Sequence, residues 1–163
     1  MSVTFSNPVK IAAFGPPGKF NSQGISQSDT NVSVVASALP SNFESLEKTL
    51  GSPENGAETM LRLFLAPEGS GRKGTLLSAC AESSRGTSII YQFEYLIDRG
   101  DKGLPLRAIS AITVRKAGFT NSSLMNMKDT LITFTVVAPQ KDWDENLLYS
   151  QKLRKMADTF KLI

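Results

Sequence analysis

The sequence predicts an α+β fold, an α-β-α sandwich in which a central antiparallel β-sheet is flanked by helices. Three observations support this prediction. Apolar residues recur at every second position, as in strands, over residues 75–82, 88–97, 106–115 and 130–138. Turn-forming residues connect the first three of these strands as antiparallel hairpins. Segments with helical spacing of apolar residues precede and follow the four strands, as in layered α+β domains.

The N-terminal part of the chain contains one clear strand. Residues 31–39 read NVSVVASAL, in which apolar residues alternate with serines, and a proline follows. Residues 9–14 show a weaker strand pattern, and the sequence between these two segments is polar or rich in Gly and Pro, as in loops. We therefore divide the chain into residues 1–28, an N-terminal arm or divergent first strand and loop, and residues 29–163, the main domain.

Two short helices are predicted between residue 40 and the hairpins. The SNFE sequence at 41–44 fits a capping box, with Ser41 as the N-cap of a helix that ends at Gly51. The GSPE sequence at 51–54 places a serine N-cap, a proline at the first helical position and an acid at the positive end of the helix dipole. Pro67 ends this second helix.

A single long helix is predicted over residues 142–160. At 100° per residue its apolar side chains form one arc, with Trp143 and Leu147 at the edge of that arc. We expect the residues of the arc to be buried against the sheet: Tyr149, Leu153, Met156, Ala157 and Phe160. Leu148 falls on the opposite, polar side of the helix.

Composition excludes several classes of function. The net charge is +3, from 18 Lys and Arg against 15 Asp and Glu, and the basic residues are dispersed, so we expect no nucleic-acid partner. The chain has no histidine, which excludes Ser-His-Asp and Cys-His catalysis and histidine-ligated metals. No apolar segment approaches the length that spans a bilayer. No apolar leader follows Met1, so we expect either a cytoplasmic protein or a mature chain without its targeting peptide.

Two motifs that resemble functional sites have ordinary structural interpretations. Cys80 is the only cysteine, so it forms neither an intrachain disulfide nor a zinc cage, and its place in a strand predicts a buried, inert thiol. The GSGRKG sequence at 69–74 resembles a phosphate-binding loop, but its lysine precedes the last glycine and a strand follows instead of a helix. Because no nucleophile–base pair and no metal-ligand pattern appear either, we predict a non-catalytic protein without a metal site of its own.

Short motifs in a characteristic order resemble the PsbP family. They are DTNVSVV at 29–35, GSPE at 51–54, LLSA at 76–79, YQFEY at 91–95, WD at 143–144 and ADTF at 157–160. The resemblance covers about residues 29–162, whereas residues 1–20 lack the tryptophan found in the family's opening strands.

The resemblance implies both a fold and a function. PsbP proteins are extrinsic luminal subunits of the photosystem II oxygen-evolving complex that support calcium and chloride retention, and their sheet lies between helices. It therefore implies an extrinsic protein of the chloroplast thylakoid lumen, bound to the luminal face of a photosynthetic complex. Three alternatives stay open: an assembly factor, a subunit of photosystem I or an NDH-type complex, and a Ran-binding module of the same fold. Because no Asp-x-Asp-x-Asp-Gly loop occurs, we expect any calcium to lie in the partner complex.

Two surfaces are candidates for the contact with that complex. On the predicted terminal helix Leu148 is surrounded by basic residues, which suggests an apolar anchor with steering charges: Lys141, Lys152 and Lys155. The alternative is the basic pair Arg72 and Lys73 in the 69–74 loop.

Overall fold

The computed structural model describes residues 9–14, 29–39, 42–83, 89–116 and 129–160, with only the backbone of 9–14. Six strands are present in these ranges: β1 (Val9–Phe14), β2 (Asn31–Ala38), β3 (Lys73–Ser83), β4 (Ile89–Asp98), β5 (Leu106–Arg115) and β6 (Thr130–Pro139). The helices are α1 (Leu46–Leu50), α2 (Pro53–Met60), α3 (Gln140–Glu145) and α4 (Leu147–Asp158). A π-helical turn at Leu61–Leu65 continues α2, and a 3₁₀ turn at Gly100–Lys102 follows β4.

The six strands form one antiparallel sheet in the order β1-β2-β6-β5-β4-β3. The predicted antiparallel sheet and its hairpin-linked strands are confirmed, and the weak strand pattern at 9–14 is a real edge strand paired with β2. The turn at 84–88 and the link at 117–128 lie outside the described residues.

Helices pack on both faces of the sheet, as predicted. On one face, Tyr91, Phe93, Tyr95 and Ile97 of β4 are buried in a core that also includes residues of the two helices before β3 and of the π-helical turn: Leu46, Ala57 and Leu61. On the other face, residues of the last two helices pack against β5 and β6: Trp143, Leu153 and Ala157. The alternation of side chains along each strand separates these two cores.

The first predicted helix begins later than the sequence pattern suggests. Its N-cap is Ser45, whose hydroxyl accepts a hydrogen bond from the backbone N–H of Lys48 at 3.1 Å. Glu44, the acid of the predicted capping box, precedes the observed helix and pairs with the Lys48 ammonium. The predicted cap, Ser41, lies outside the described residues.

The second predicted helix begins as expected. Ser52 accepts a hydrogen bond from Asn55 N–H at 3.3 Å, with Pro53 as the first helical residue. The backbone hydrogen bonding and the Ser52 hydroxyl lower the pKa of Glu54, consistent with an acid at a helix N-terminus.

The predicted continuous helix over residues 142–160 is wrong, because the chain breaks at Asn146. The backbone of Asn146 leaves the helical region (φ −118°, ψ 88°), and its side chain caps α4 by accepting from Tyr149 N–H at 3.0 Å. Met156, expected in the buried arc, is 45% exposed because the arc of α4 centres on Leu153 and Ala157.

Cys80 is exposed, contrary to the prediction of a buried thiol. It lies on the edge strand β3. On this face of the sheet, the helices pack over β5 and β6 and leave Cys80 exposed. Desolvation, and then the negative charges of Glu82, Asp158 and Glu54, raise the pKa of the Cys80 thiol. In the described part of the chain, no helix is long and apolar enough to cross a membrane.

Candidate docking surfaces

The first turn of α4 presents two adjacent leucines to solvent. Leu147 is 70% exposed and Leu148 is 72% exposed, although the sequence placed Leu147 at the edge of the buried arc. Lys152 and Lys155 follow Leu148 at helical spacings of four and seven residues, so they lie along the same exposed face. We call Leu147, Leu148, Lys152 and Lys155 the leucine–lysine face.

Lys141 is on a different helix from Leu148, so the single-helix wheel that grouped the two residues does not apply. Lys141 lies on α3, before the break at Asn146, and the angular relation of a single helix does not extend across that break. The start of α3 is held beside the β4–β5 connection, where Gln140 N–H donates to the Pro105 carbonyl at 2.8 Å. Lys141 is therefore exposed on a separate element.

Trp143 fixes α3 to the sheet. Its side chain is buried, and the indole Nε1–H donates to the Arg107 carbonyl at 3.0 Å. The guanidinium carbons of Arg107 and Arg154 lie 5.6 and 5.5 Å from the centre of the indole ring, within the range of cation–π attraction. One tryptophan thus contacts a basic residue of β5 and another of α4.

Glu94 joins the two arginines. Its carboxylate accepts from Arg154 at 2.8 Å through both oxygens and from Arg107 Nε at 2.8 Å, while Arg107 also pairs with Asp144 of α3 at 3.2 Å. Partial burial on its own would raise the pKa of Glu94, but the hydrogen bonds and charges of Arg154 and Arg107 outweigh it and lower that pKa. Glu94 therefore remains ionised. Its bonds to Arg154 attach α4, the helix that contains the leucine–lysine face, to the sheet.

The 69–74 loop, the second predicted surface, makes contacts with other parts of the chain. Gly69 and Gly71 adopt positive φ values of 77° and 72°, which only glycine reaches without strain. The Arg72 guanidinium donates to the Leu65 carbonyl at 3.4 Å, at the end of the π-helical turn. Lys73 begins β3 and is exposed. No hydrogen bond or ion pair found within the described ranges joins this loop to the leucine–lysine face.

A shallow cavity of about 760 Å³ lies beside this loop, between α2 and the edge strand β3. It is lined by Asn55, Glu58, Thr59, Leu61, Arg62, Ala66, Gly74, Thr75 and Leu76. Across the ranges that the structure describes, no three His, Cys, Asp or Glu side chains lie together as they would around a metal ion.

Comparison with known proteins identifies the family. The family model for PsbP matches residues 2–162. The chain belongs to the PsbP family. CyanoP from Thermosynechococcus vestitus (strain NIES-2133 / IAM M-273 / BP-1) is 29% identical over 139 residues, which are 85% of this chain and 64% of that relative's length. The chain therefore spans somewhat less than two thirds of CyanoP.

The fold agrees with a solved structure of the same family. The solution structure of cyanobacterial PsbP (CyanoP) from Synechocystis sp. PCC 6803 superposes with a TM-score of 0.57 at 24% identity. The match covers 83% of this chain and 68% of that chain. The PsbP resemblance inferred from the sequence motifs is thus confirmed, and so is the α+β fold that it implies.

Sequence reasoning missed the cluster around Trp143. In the sequence, Glu94 is one polar position of the predicted strand 88–97, and Arg154 is one of several basic residues of the predicted helix 142–160. These two residues are 60 positions apart, and no local pattern pairs them. The one available signal is that Glu94 and Arg107 sit within two consecutive strands predicted to form a hairpin.

Proposed function

We propose that this PsbP-family protein is a non-catalytic extrinsic protein of a thylakoid photosynthetic complex, and that its partner is photosystem II. We place it on the luminal face of that complex. In a plant or alga, this face borders the lumen of the chloroplast thylakoid. Membership of the PsbP family supports the class of partner. In our proposal, the contact is made by the leucine–lysine face.

The exposure of Leu147 and Leu148 is the observation that carries this assignment. Two neighbouring leucines that are both at least 70% exposed form an apolar patch at the start of α4. Burial of such side chains in a partner contributes about 1.5–3 kcal/mol each. Lys152 and Lys155 beside them would steer the protein toward an acidic surface and would make association salt-dependent.

The cluster around Trp143 supports the same surface. Arg154 lies on α4 between Lys152 and Lys155, and its bonds to Glu94 fix the rotation of that helix relative to the sheet. A contact face that is held rigid loses less conformational entropy on binding. The 69–74 loop is the alternative contact, with Arg72 and Lys73 as its charges.

We propose that the domain supplies neither catalysis nor a calcium site. The chain lacks histidine, and a protein that acts as a docking subunit needs no nucleophile–base pair. Support for calcium retention, if it is part of the function, would act through ligands in the partner complex. Calorimetry that detects tight calcium binding to the isolated protein would contradict this part of the proposal.

Co-purification from thylakoids tests the proposed partner. The tagged protein, expressed in a photosynthetic host, is recovered from detergent-solubilised thylakoids, and the subunits that accompany it are identified by mass spectrometry. We expect photosystem II subunits at a constant ratio to the bait. Recovery with photosystem I or an NDH-type complex instead, or with neither, would contradict the assignment to photosystem II.

A further inference from the structure

A cavity lies on the sheet face that α2 covers only in part, and it is not part of the proposed docking surface. The helix α2 packs on β3 and β4, and beside it a cavity of about 400 Å³ lies over β4, β5, β6 and β2. That volume is within the usual range of small-molecule sites, about 300–1,000 Å³. The cavity is lined by Ser33, Val35, Ser37, Leu50, Gly56, Thr59, Met60, Phe64, Leu65, Tyr95, Ser110, Ile112, Leu131, Thr133 and Thr135.

Hydroxyl groups form a row across the floor of this cavity. In the strand register Ser110 of β5 is opposite Thr135 of β6, and Thr135 is opposite Ser33 of β2. Tyr95 reaches the same row from β4, with its phenolic oxygen 2.9 Å from Ser110 Oγ. We call Tyr95, Ser110, Thr135 and Ser33 the hydroxyl row. Serine and threonine are unusual as a continuous stripe in the middle of a sheet face that elsewhere holds the core.

Three members of this row, Tyr95, Ser110 and Thr135, are hydrogen-bonded to one another and carry one hydroxyl proton more than these bonds use. Tyr95 bonds to Ser110, and Ser110 bonds to Thr135, both at 2.9 Å. Three hydroxyls carry three protons, whereas two hydrogen bonds use only two of them, whichever way each bond runs. Tyr95 and Ser110 are buried, whereas Thr135 is half-buried, so a spare proton on either of the first two would be stabilised by an acceptor placed in the cavity.

The rest of the lining is uncharged and largely apolar. Among the residues that the structure describes, none of the side chains lining the cavity is acidic or basic. Its walls include Met60, Leu65 and Phe64, and the Phe64 ring is 51% exposed at the rim. An ionised ligand would lose its hydration here without gaining an opposite charge, which is unfavourable by several kcal/mol. The lining therefore selects against charged ligands.

A buried acceptor lies next to the row. Asn31 precedes Ser33 by two residues, so it is on the same face of β2, and its Oδ1 is buried with no hydrogen-bond partner within the described residues. An unpaired buried oxygen costs free energy that a bound donor or water would recover. The hydroxyl row thus has one proton available, and a buried acceptor without a partner in the described residues lies two residues from Ser33 along β2.

We propose that this cavity binds an uncharged, mainly apolar small molecule that places a carbonyl or ether oxygen against the hydroxyl row. The apolar walls bury its hydrocarbon part, and the surplus proton of the row donates to its oxygen. Neither end of the site favours a carboxylate, a phosphate or a cation. This site is on the face opposite α3 and α4, so it is independent of the leucine–lysine face.

Direct binding of a defined probe tests this site. The probe is decyl-1,4-benzoquinone, which joins two carbonyl oxygens to an apolar ring and tail, and decanoate is the charged control with a similar tail. Binding to the full chain is followed by amide chemical shifts of β2, β5 and β6. We expect saturable binding of the quinone and none of decanoate at the same concentrations.

Three variants locate the bound probe. Thr135→Val removes one end of the bonded hydroxyls and should weaken binding about three- to tenfold. Thr133→Val is the matched control, because Thr133 also lines the cavity but is not part of the bonded chain, and it should change affinity less than twofold. Ser33→Phe fills the cavity from β2 and should abolish binding while thermal unfolding remains cooperative.

Several results would overturn the proposal. These are no saturable binding to the folded wild type, equal binding of decanoate, or equal losses for Thr135→Val and Thr133→Val. If Ser33→Phe does not fold, the comparison of the two threonine variants still decides the question. Loss of association with the photosynthetic complex in Ser33→Phe, without any quinone binding by the wild type, would make the cavity a protein contact instead.

Discussion

The carboxylate of Glu94 in β4 accepts hydrogen bonds at 2.8 Å from both terminal guanidinium nitrogens of Arg154 in α4. Arg107 of β5 donates to the same carboxylate, so one acidic side chain pairs with two basic ones. The indole of Trp143 lies against both guanidinium groups. Through these contacts a single polar residue of the sheet is linked to α4 directly and to α3 through Arg107, and so helps to orient the leucine–lysine face.

Replacement of Glu94 should reduce the amount of stability that the protein loses when the pH is lowered. Because its pKa is lowered in the folded protein, ionised Glu94 stabilises the fold above the ordinary carboxyl pKa, and this gain is lost as pH falls through the lowered pKa. We expect Glu94→Gln to reduce the free energy of unfolding at pH 7 by about 1–2 kcal/mol, allowing for solvent screening of partly exposed Arg154, and by less near pH 3. Urea unfolding at both pH values measures this.

Glu58→Gln is the matched control for that experiment, since Glu58 is an exposed acid on α2. It should change stability by less than about 0.5 kcal/mol at either pH. Equal effects of the two substitutions at pH 7 would show that the Glu94 cluster does not stabilise the fold.

Loss of the Trp143 indole should weaken the attachment of α3. Trp143→Phe retains an aromatic ring but removes the donor to the Arg107 carbonyl and reduces the cation–π attraction to both arginines. We expect a loss of about 1–3 kcal/mol in the free energy of unfolding, followed by far-ultraviolet circular dichroism. Tyr149→Phe, which removes a hydroxyl from a half-buried ring on α4, should cost clearly less. A Trp143→Phe protein as stable as the wild type would contradict this role.

The Ser52 cap offers a local test of the second helix. Ser52→Ala removes the acceptor of the Asn55 N–H and should destabilise the protein by about 1 kcal/mol. Ser78→Ala, at an exposed position of β3, serves as control. Chemical denaturation compares the two, and a Ser52→Ala effect no larger than that of Ser78→Ala would show that the cap contributes little.

Local sequence patterns were sufficient for the strands and for α2. The strands are rich in β-branched and apolar residues with a period near two, and GSPE at 51–54 combines three helix-start signals within four residues, so local patterns locate these elements. The break at Asn146 was missed because the apolar spacing on both sides fits one helix, while the capping bond from Asn146 to Tyr149 N–H decides otherwise. Leu147 was misplaced for the same reason, whereas Met156 was misplaced because the buried arc of α4 centres on Leu153 and Ala157.

The residues of the leucine–lysine face could be predicted from the sequence only where they lie on a single helix. Leu148, Lys152 and Lys155 share a face because they share a helix, whereas Lys141 was grouped with them across a break. The pairing of Glu94 with Arg154 depends on how α4 lies over the sheet, which no local pattern encodes. The cavity over β2 and β6 depends in turn on which strands α2 leaves uncovered.

Cys80 should react with a maleimide in the native protein. It is exposed on the edge strand β3, so modification should proceed without denaturant. Because its pKa is raised, the rate should go on increasing with pH beyond the range in which a free cysteine has levelled off. Mass spectrometry of timed reactions measures both properties. Modification only after unfolding would contradict the exposed position.

Binding to photosystem II membranes stripped of their extrinsic proteins tests the proposed docking face most directly. The labelled chain is pelleted with the membranes at several salt concentrations, as wild type, as Leu148→Ala with Lys152→Glu, and as Arg72→Glu with Lys73→Glu. We expect the helix variant to bind at least about tenfold more weakly and the loop variant to bind within about twofold of the wild type. Unchanged binding of the helix variant, together with salt-dependent weakening in the loop variant, would contradict this account and make the 69–74 loop the contact.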